Sequence, residues 1–441
     1  MDSKLTAIIR EAGIIGAGGA GFPTHVKAGG KADFVIANGA ECEPLLRVDQ
    51  QLLEYRTDEV LAGLKSVIAG VGARKGIIGI KKKHAQVIEQ LEKRVKGDAA
   101  IDILALGDFY PAGDEQVMVY EALERIVPEG GIPLQVGVMV SNIETLLNVH
   151  NAMMGIPVTH KYLTVTGAVQ SPVTVRVPIG ISFREAVELA GGVTVSDYKL
   201  IEGGPMMGKL TDIPRPVTKT TKGIIVLPAG HPLLLSKEKS LEHMLKEART
   251  ACCHCSLCTE VCPRNLLGHK LHPDRLMRLA AYNSTCEANV SASDAFLCCE
   301  CGLCEYACIM GLQPWKLNNY LKRELGRAGV KNPNNRTAPH PNEFRRYKKF
   351  PVKKLIARLG LEAYDEKAPL LEEMPKDFTR VVLPLKQHVG QRAEPLVKIG
   401  DLVAENQLIA DVAEGQLGAR LHASIGGWVR RVDYGEIEIS K

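Results

Sequence analysis

Two runs of cysteine constrain this chain more than any other feature. The first reads Cys252-x-x-Cys255-x-x-Cys258-x-x-x-Cys262 and is followed by Pro263. The second reads Cys298-x-x-Cys301-x-x-Cys304-x-x-x-Cys308. Beyond the spacing, both runs share Cys-Cys-x-Cys-x-Leu-Cys-x-x-x-Cys, which is an internal duplication. A disulfide framework suits small secreted domains, whereas this chain has 441 residues and no apolar N-terminal run of signal-peptide length. Zinc asks for paired knuckles at each site rather than a run of four. Cysteine used only as packing explains neither run. Iron–sulfur ligation explains both. A two-residue gap lets one tight loop present successive sulfurs to one cubane, and the three-residue gap sends the last thiolate into a following helix, facing away.

This spacing resembles that of the bacterial two-cluster ferredoxins, in which the fourth thiolate of each run crosses to the other cluster. The resemblance assigns Cys252, Cys255, Cys258 and Cys308 to one [4Fe–4S] cluster, and Cys298, Cys301, Cys304 and Cys262 to a second. Cys253 and Cys299 remain as spares at equivalent positions, read either as small buried residues near the clusters or as a register ambiguity or redox role. Ile309 stands where the first run has Pro263, a position that supplies no ligand.

The length allows about three or four domains. A formal net charge of +5 does not argue for nucleic acid. No stretch reaches the roughly 18–20 apolar residues of a membrane span. The expectation is a cytoplasmic protein with no direct membrane insertion.

Ahead of the cysteines, residues 1–158 alternate between the two main periodicities, the mark of an α/β layer. Leu5–Gly13 has the pattern of a short amphipathic helix. It runs into Gly16-Ala17-Gly18-Gly19-Ala20-Gly21-Phe22-Pro23-Thr24-His25-Val26-Lys27. Bare N–H groups in succession make a nest suited to phosphate, and Lys27 adds a cation. Gly16, Gly18 and Gly21 match GxGxxG only formally, since a helix precedes them rather than a strand. A strand at 33–37 empties into Asn38-Gly39-Ala40-Glu41-Cys42-Glu43-Pro44, at the strand end where open α/β sheets bind ligands. A helix is expected over 49–70, strands over 76–80 and 101–106, and a helix over 83–95. Asp114 and Glu115 could bond a ribose or amide, or cap the following helix. Asn142 and Thr145 are candidate ligand contacts, with Ser141 as a candidate N-cap.

The segments GAGGAGFPTHVK, NGAECEP, YPAGDEQ and SNIETL, in this order, resemble the flavin subunit of respiratory complex I and its relatives. In that family they hold FMN and form the NADH site. The resemblance implies that Gly16, Gly18, Gly19, Gly21 and Lys27 line the FMN phosphate and ribityl chain. Asn38, Glu41, Asn142 and Thr145 would border FMN as well, with Phe22, Glu43 and Glu115 on the nicotinamide nucleotide side. Cys42 stands where the family has serine, and Asp114-Glu115 where it has paired glutamates.

Residues 159–232 resemble the β-grasp, SLBB-like module of the same relatives, through TVTGAVQSP and VPIGISFREAVELAGG. The turn Gly203–Gly208 lacks any charged anchor. Residues 233–328 hold the clusters, with helices expected over 237–250, 271–282 and 315–325. Residues 329–373 are basic and read as a linker wrapping the surface, its charges either solvated or docking an acidic partner. Residues 374–441 resemble a barrel-sandwich hybrid without a lysine at Ala413–Gln416, so neither lipoylation nor biotinylation is expected. The fold class is thus multidomain α/β plus β.

This order of domains resembles the cobalamin reductases of the PduS type, relatives of the RnfC proteins, which carry the barrel-sandwich at the front. The resemblance implies an NADH-dependent oxidoreductase that passes electrons from NADH to FMN, through two [4Fe–4S] clusters, to a corrinoid. It also implies an adenosyltransferase as a candidate partner and a bacterial-microcompartment address for propanediol utilisation. No catalytic nucleophile or acid–base pair is expected. The alternative is an electron-input component of a multi-subunit NAD:ferredoxin oxidoreductase. A third reading makes the clusters structural staples in a ligand-binding module.

Overall fold

A computed structural model describes residues 3–282, 291–372 and 376–441. The expected boundary between linker and barrel, at 373/374, lies outside the described residues.

The first layer is a four-stranded parallel sheet. Its strands are β1 (Phe34–Gly39), β2 (Lys75–Lys81), β3 (Ile101–Leu106) and, beyond the short β4 (Phe109–Tyr110), β5 (Val138–Asn142), in the order β3-β2-β1-β5. The central strands are near-continuous apolar runs, as burial on both faces requires. The chain leaves β1 toward β2 on one side and returns at β5 on the other. The crevice outside the carboxyl ends of β1 and β5 is therefore a topological switch point. Asn38 and Asn142 sit side by side there, paired in register. The helix expected over 49–70 is two helices, Val48–Tyr55 and Thr57–Val71. The break falls at Arg56, whose guanidinium reaches the Glu372 carboxylate at 2.9 and 3.0 Å.

The second sheet holds β6 (His160–Gly167), β7 (Val173–Pro178), β8 (Tyr198–Glu202), β9 (Lys209–Thr211) and β10 (Gly223–Pro228), with the helix Phe183–Leu189 after β7. Leu370–Leu371 adds an edge strand parallel to β7. The C-terminal strands form a four-stranded and a three-stranded sheet. One continuous apolar core runs through all three units, from Ile9, Val35 and Leu64 through Leu163 and Val175 to Val381, Ile409 and Ile439. Smaller cores around Met244 and Leu317, and around Leu271 and Leu276, support the cysteine-bearing helices.

The helix expected over 237–250 is also divided, into Pro232–Glu238 and Leu241–Ala251. Ser240 caps the second, accepting from the His243 N–H at 3.1 Å. The basic stretch 329–373 carries a strand at Phe350–Pro351 that pairs with β4, and a helix at Val352–Leu359. Four of its cations meet acids of this same chain. Arg345 and Lys349 hold Glu121, Lys348 holds Glu260, and Arg336 holds Glu129. These four charges are spent within the chain. Among the described residues, no helix is long and apolar enough to cross a membrane.

Candidate functional site

A cavity of about 400 Å³ opens at the switch point. Gly16, Gly18, Gly19, Gly21, Phe22, Lys27, Asn38, Glu41, Glu43, Glu115, Asn142 and Thr145 all line it. Residues that the sequence reading did not single out for this site line it too: Asp49, Tyr110, Met207, Lys222, Cys299 and Cys301 among them.

The glycine loop is anchored from both sides. Thr145 Oγ1 accepts from the Ala17 N–H at 3.0 Å, and Lys161 Nζ donates to the Ala17 carbonyl at 3.3 Å. Lys161 is itself held by the buried Glu144 carboxylate, which also accepts from the Tyr162 N–H at 3.1 Å. The second sheet thus sets the height of the loop over the first. Gly18 has no room for a side chain, because a Cβ there would lie 2.9 Å from Asn142 Nδ2. Beside Gly19 nothing lies within 4 Å, so its backbone faces open space. At the mouth Lys27 Nζ meets Glu115 Oε1 at 2.8 Å, and Phe22 is exposed.

The floor is charged and tightly paired. Lys222 Nζ lies 3.1 Å from Glu41 Oε1 and also binds the Asp49 carboxylate. Asp49 accepts from Asn142 Nδ2 at 2.9 Å, and Glu41 accepts from the Asp49 N–H at 2.7 Å. Burial and the Glu41 charge push Asp49 up, to about 6, while Lys222 and Asn142 pull it the other way. Burial opposes the Lys222 charge, but Asp49 and Glu41 outweigh it and hold the ammonium above the ordinary lysine range. Asn142, rather than Ser141, caps the helix Ile143–Met153 through Oδ1. Its side chain is committed at both ends, so it contributes shape to the cavity.

Glu43 is committed as well. Its two carboxylate oxygens accept from the Met206 and Met207 N–H groups at 2.9 and 3.0 Å. The turn Gly203–Gly208 therefore does have a charged anchor, supplied by another domain. Gly204 allows that approach, since a Cβ there would meet Glu43 Oε2 at 2.1 Å. Burial raises the Glu43 carboxyl above its ordinary value, opposed by the two N–H groups and Lys237. Asp114 caps the helix Glu115–Leu123, accepting from Gln116 and Val117 at 3.1 Å each. Arg264 grips it with a two-pronged pair at 2.6 and 2.9 Å. That pair fastens the cysteine-bearing module to the cavity domain.

The two cysteine runs have the same local backbone. His254 and Ser256 in the first, and Glu300 and Gly302 in the second, are all left-handed, with φ between 56° and 77°. These residues alternate with the thiols, so duplicated sequence gives duplicated geometry. Each loop enters a short helix, Leu257–Glu260 or Leu303–Ala307, and Cys262 and Cys308 lie beyond those helices. Burial pushes the Cys258 thiol up, to about 12, with Asp274 and then Cys308, Cys252 and Cys255 adding. Burial likewise raises Cys304, with Cys298, Cys258 and Cys262 adding. These two thiols, buried among others, resist ionising alone. Iron supplies the positive charge that lets them ligate as thiolates. Among the described residues no three His, Cys, Asp or Glu side chains converge on a single ion. A cubane instead takes its thiolates around its corners. No disulfide joins any of the described cysteines.

The second run faces the cavity. Cys301 and the spare Cys299 line it, and the buried Tyr110 hydroxyl donates to the Cys301 carbonyl at 2.7 Å. None of Cys252, Cys255, Cys258 and Cys308 lines it.

Known families match this chain in four segments. Residues 9–151 match the Nuo51 FMN-binding domain, 162–210 the SLBB domain, 251–313 a 4Fe-4S dicluster domain and 365–440 the RnfC barrel sandwich hybrid domain. Fold and site together define a multidomain flavin and iron–sulfur electron-transfer protein. Over 426 residues the chain is 43% identical to cobalamin reductase PduS of Salmonella typhimurium, covering 96% of this chain and 93% of that one. The PduS of Citrobacter freundii is 42% identical over 432 residues, with the same coverage. The chain belongs to the PduS cobalamin reductase family. A shorter likeness, 38% over 269 residues, joins it to a component of the Na(+)-translocating ferredoxin:NAD(+) oxidoreductase complex of Acetobacterium woodii, covering 59% of this chain and 57% of that one.

Proposed function

We propose that the chain is an NADH-dependent cobalamin reductase. FMN would lie in the switch-point cavity, the proximal cluster on Cys262, Cys298, Cys301 and Cys304, and the distal cluster on Cys252, Cys255, Cys258 and Cys308. The observation that carries this reading is that one cavity brings together the glycine loop and Cys301. Its volume lies within the roughly 300–1,000 Å³ of small-ligand sites. Bound flavin takes the hydride pair of NADH, and the clusters carry electrons one at a time.

The chain's own residues position and insulate. Gly18 and Gly19 let backbone N–H groups approach the phosphate and ribityl chain, with Lys27 supplying a cation at the mouth. Lys222 places a fixed positive charge under the cavity, where it favours added electron density. Phe22 and Glu115 stand at the mouth, where the nicotinamide nucleotide would enter. Glu43 acts at one remove, through the Met206–Met207 turn that closes one wall. Tyr110 holds the Cys301 carbonyl and thereby the proximal loop.

On this reading the acceptor is a corrinoid, free or carried by an adenosyltransferase, and a propanediol-utilisation microcompartment is the place of action. The test is anaerobic. NADH is added to reconstituted protein while flavin and cluster absorbance are followed, and hydroxocobalamin is then added. Bleaching of both chromophores followed by reoxidation at a catalytic rate supports the reading. Bleaching without reoxidation overturns the acceptor, and no bleaching overturns the NADH–FMN assignment.

A further inference from the structure

A second cavity, of about 570 Å³, opens beside the second cysteine run. Three helices wall it: Pro232–Glu238, Leu303–Ala307 with the loop that follows, and Val352–Leu359. Cys308, a ligand of the distal cluster in the proposed relay, forms part of the wall. No residue lines both this cavity and the switch-point cavity. The switch-point cavity is lined by Cys301 of the proposed proximal cluster, and this one by Cys308 of the proposed distal cluster.

The lining combines two chemistries. Leu235 and Ile309 stand on the lips at 52% and 63% exposure, more than a soluble surface needs to show at one place. Leu233 and Leu359 are buried behind them. Arg358 and Lys239 bring cations to the same cavity, Lys239 also holding both oxygens of Glu247 at 3.1 Å. Arg358 donates to the Tyr306 carbonyl, which aligns its guanidinium along the wall. Glu305 is spent inward, accepting from Gln313 Nε2 at 3.0 Å and Trp315 Nε1 at 2.6 Å, so it presents no free carboxylate to an entering ligand.

We infer that this cavity binds the corrin macrocycle and is where electrons leave the chain. The inference rests on the cobalamin reductase reading and adds the acceptor site to it. A corrin has a broad apolar ring edged with carboxamides. The leucine and isoleucine lips cover the ring, and Arg358 and Lys239 donate to the carboxamide oxygens. Cys308 then brings a cluster thiolate to the ring's edge. The stoichiometry is one NADH and two Co(III) corrinoids giving NAD⁺, one proton and two Co(II) corrinoids, one electron per cobalt.

The experiment is equilibrium dialysis of hydroxocobalamin against the flavin- and cluster-loaded chain, paired with the KM for hydroxocobalamin under NADH. Leu235→Trp fills the cavity from an exposed position, and Ile309→Trp repeats the test from a different wall. Flavin content and cluster absorbance report that each variant is assembled. The expected result is at least a tenfold rise in Kd and in KM for both variants. Wild-type Kd and KM in both assembled variants overturn the cavity and leave the reductase reading standing. A wild-type chain that NADH bleaches, but that neither binds nor reduces hydroxocobalamin, overturns the acceptor reading and this site with it.

Discussion

Arg264→Gln tests how the cysteine module is held against the flavin cavity. Arg264 and Asp114 are largely buried, and their two contacts span 2.6 and 2.9 Å. Burial works against the Asp114 charge, and Arg264 more than offsets it, holding the carboxyl below its ordinary value. Removing one partner of a buried pair costs about 3–5 kcal/mol, because the other charge is left uncompensated. Here Asp114 keeps two backbone N–H donors at the start of a helix. These donors bring the expected cost to the low end, about 3 kcal/mol. For a domain of this size that lowers Tm by roughly 5–10 °C. The assay is an anaerobic melt followed by flavin fluorescence and cluster absorbance, with stopped-flow transfer from flavin to clusters alongside. Arg264→Lys keeps the charge and loses the fork, so it falls between the two. An Arg264→Gln protein that melts with the wild type and transfers electrons at the wild-type rate refutes the reasoning.

Gly18→Ala places a methyl against Asn142 Nδ2, and flavin content of the purified protein is expected to fall several-fold while the cluster spectrum persists. Lys222→Gln leaves Glu41 and Asp49 buried without their cation, so the flavin midpoint potential drops and the melting temperature falls with it. Lys219 gives a pH dependence. Its ammonium donates to the Gly13 and Arg420 carbonyls at 2.7 Å each, and burial lowers it to about 7. The unfolded chain binds this proton more tightly than the folded one, so the contribution is full above pH ~10.4 and is lost as pH falls through about 7. Lys219→Met is expected to flatten the rise in stability between pH 7 and 10, read by anaerobic denaturant titration at each pH. Equal slopes for variant and wild type contradict it.

Much of the site was legible because its signals are local. Ligand spacing survives in a string of letters, and bare glycines mark a backbone that something approaches. Asn38 and Glu41 could be found from a strand's carboxyl end, a rule that needs only the order of elements. Lys222, Asp49 and Met207 were not visible in this way, since each reaches the cavity from an element whose neighbours are set only by tertiary packing. Glu43 was placed in the right cavity, but its partners, the Met206 and Met207 N–H groups, lie 163 and 164 residues away in sequence. The same distance hid the partners of four cations in the basic stretch, Arg336, Arg345, Lys348 and Lys349, which meet Glu129, Glu121 and Glu260. Helix breaks at Arg56 and Lys239 escaped because the apolar period continues across them, while long-range partners and a serine cap decide where each helix stops.

The central claim is the order of the relay: cavity first, then the cluster on Cys262, Cys298, Cys301 and Cys304, then the cluster on Cys252, Cys255, Cys258 and Cys308. Rapid-freeze EPR of NADH-reduced Cys301→Ser and Cys255→Ser proteins tests it most directly. The account predicts that Cys255→Ser still reduces its remaining cluster at the wild-type rate. It predicts that Cys301→Ser reduces its flavin but fills its remaining cluster slowly or not at all. A Cys301→Ser protein whose remaining cluster is reduced as fast as in the wild type contradicts the order.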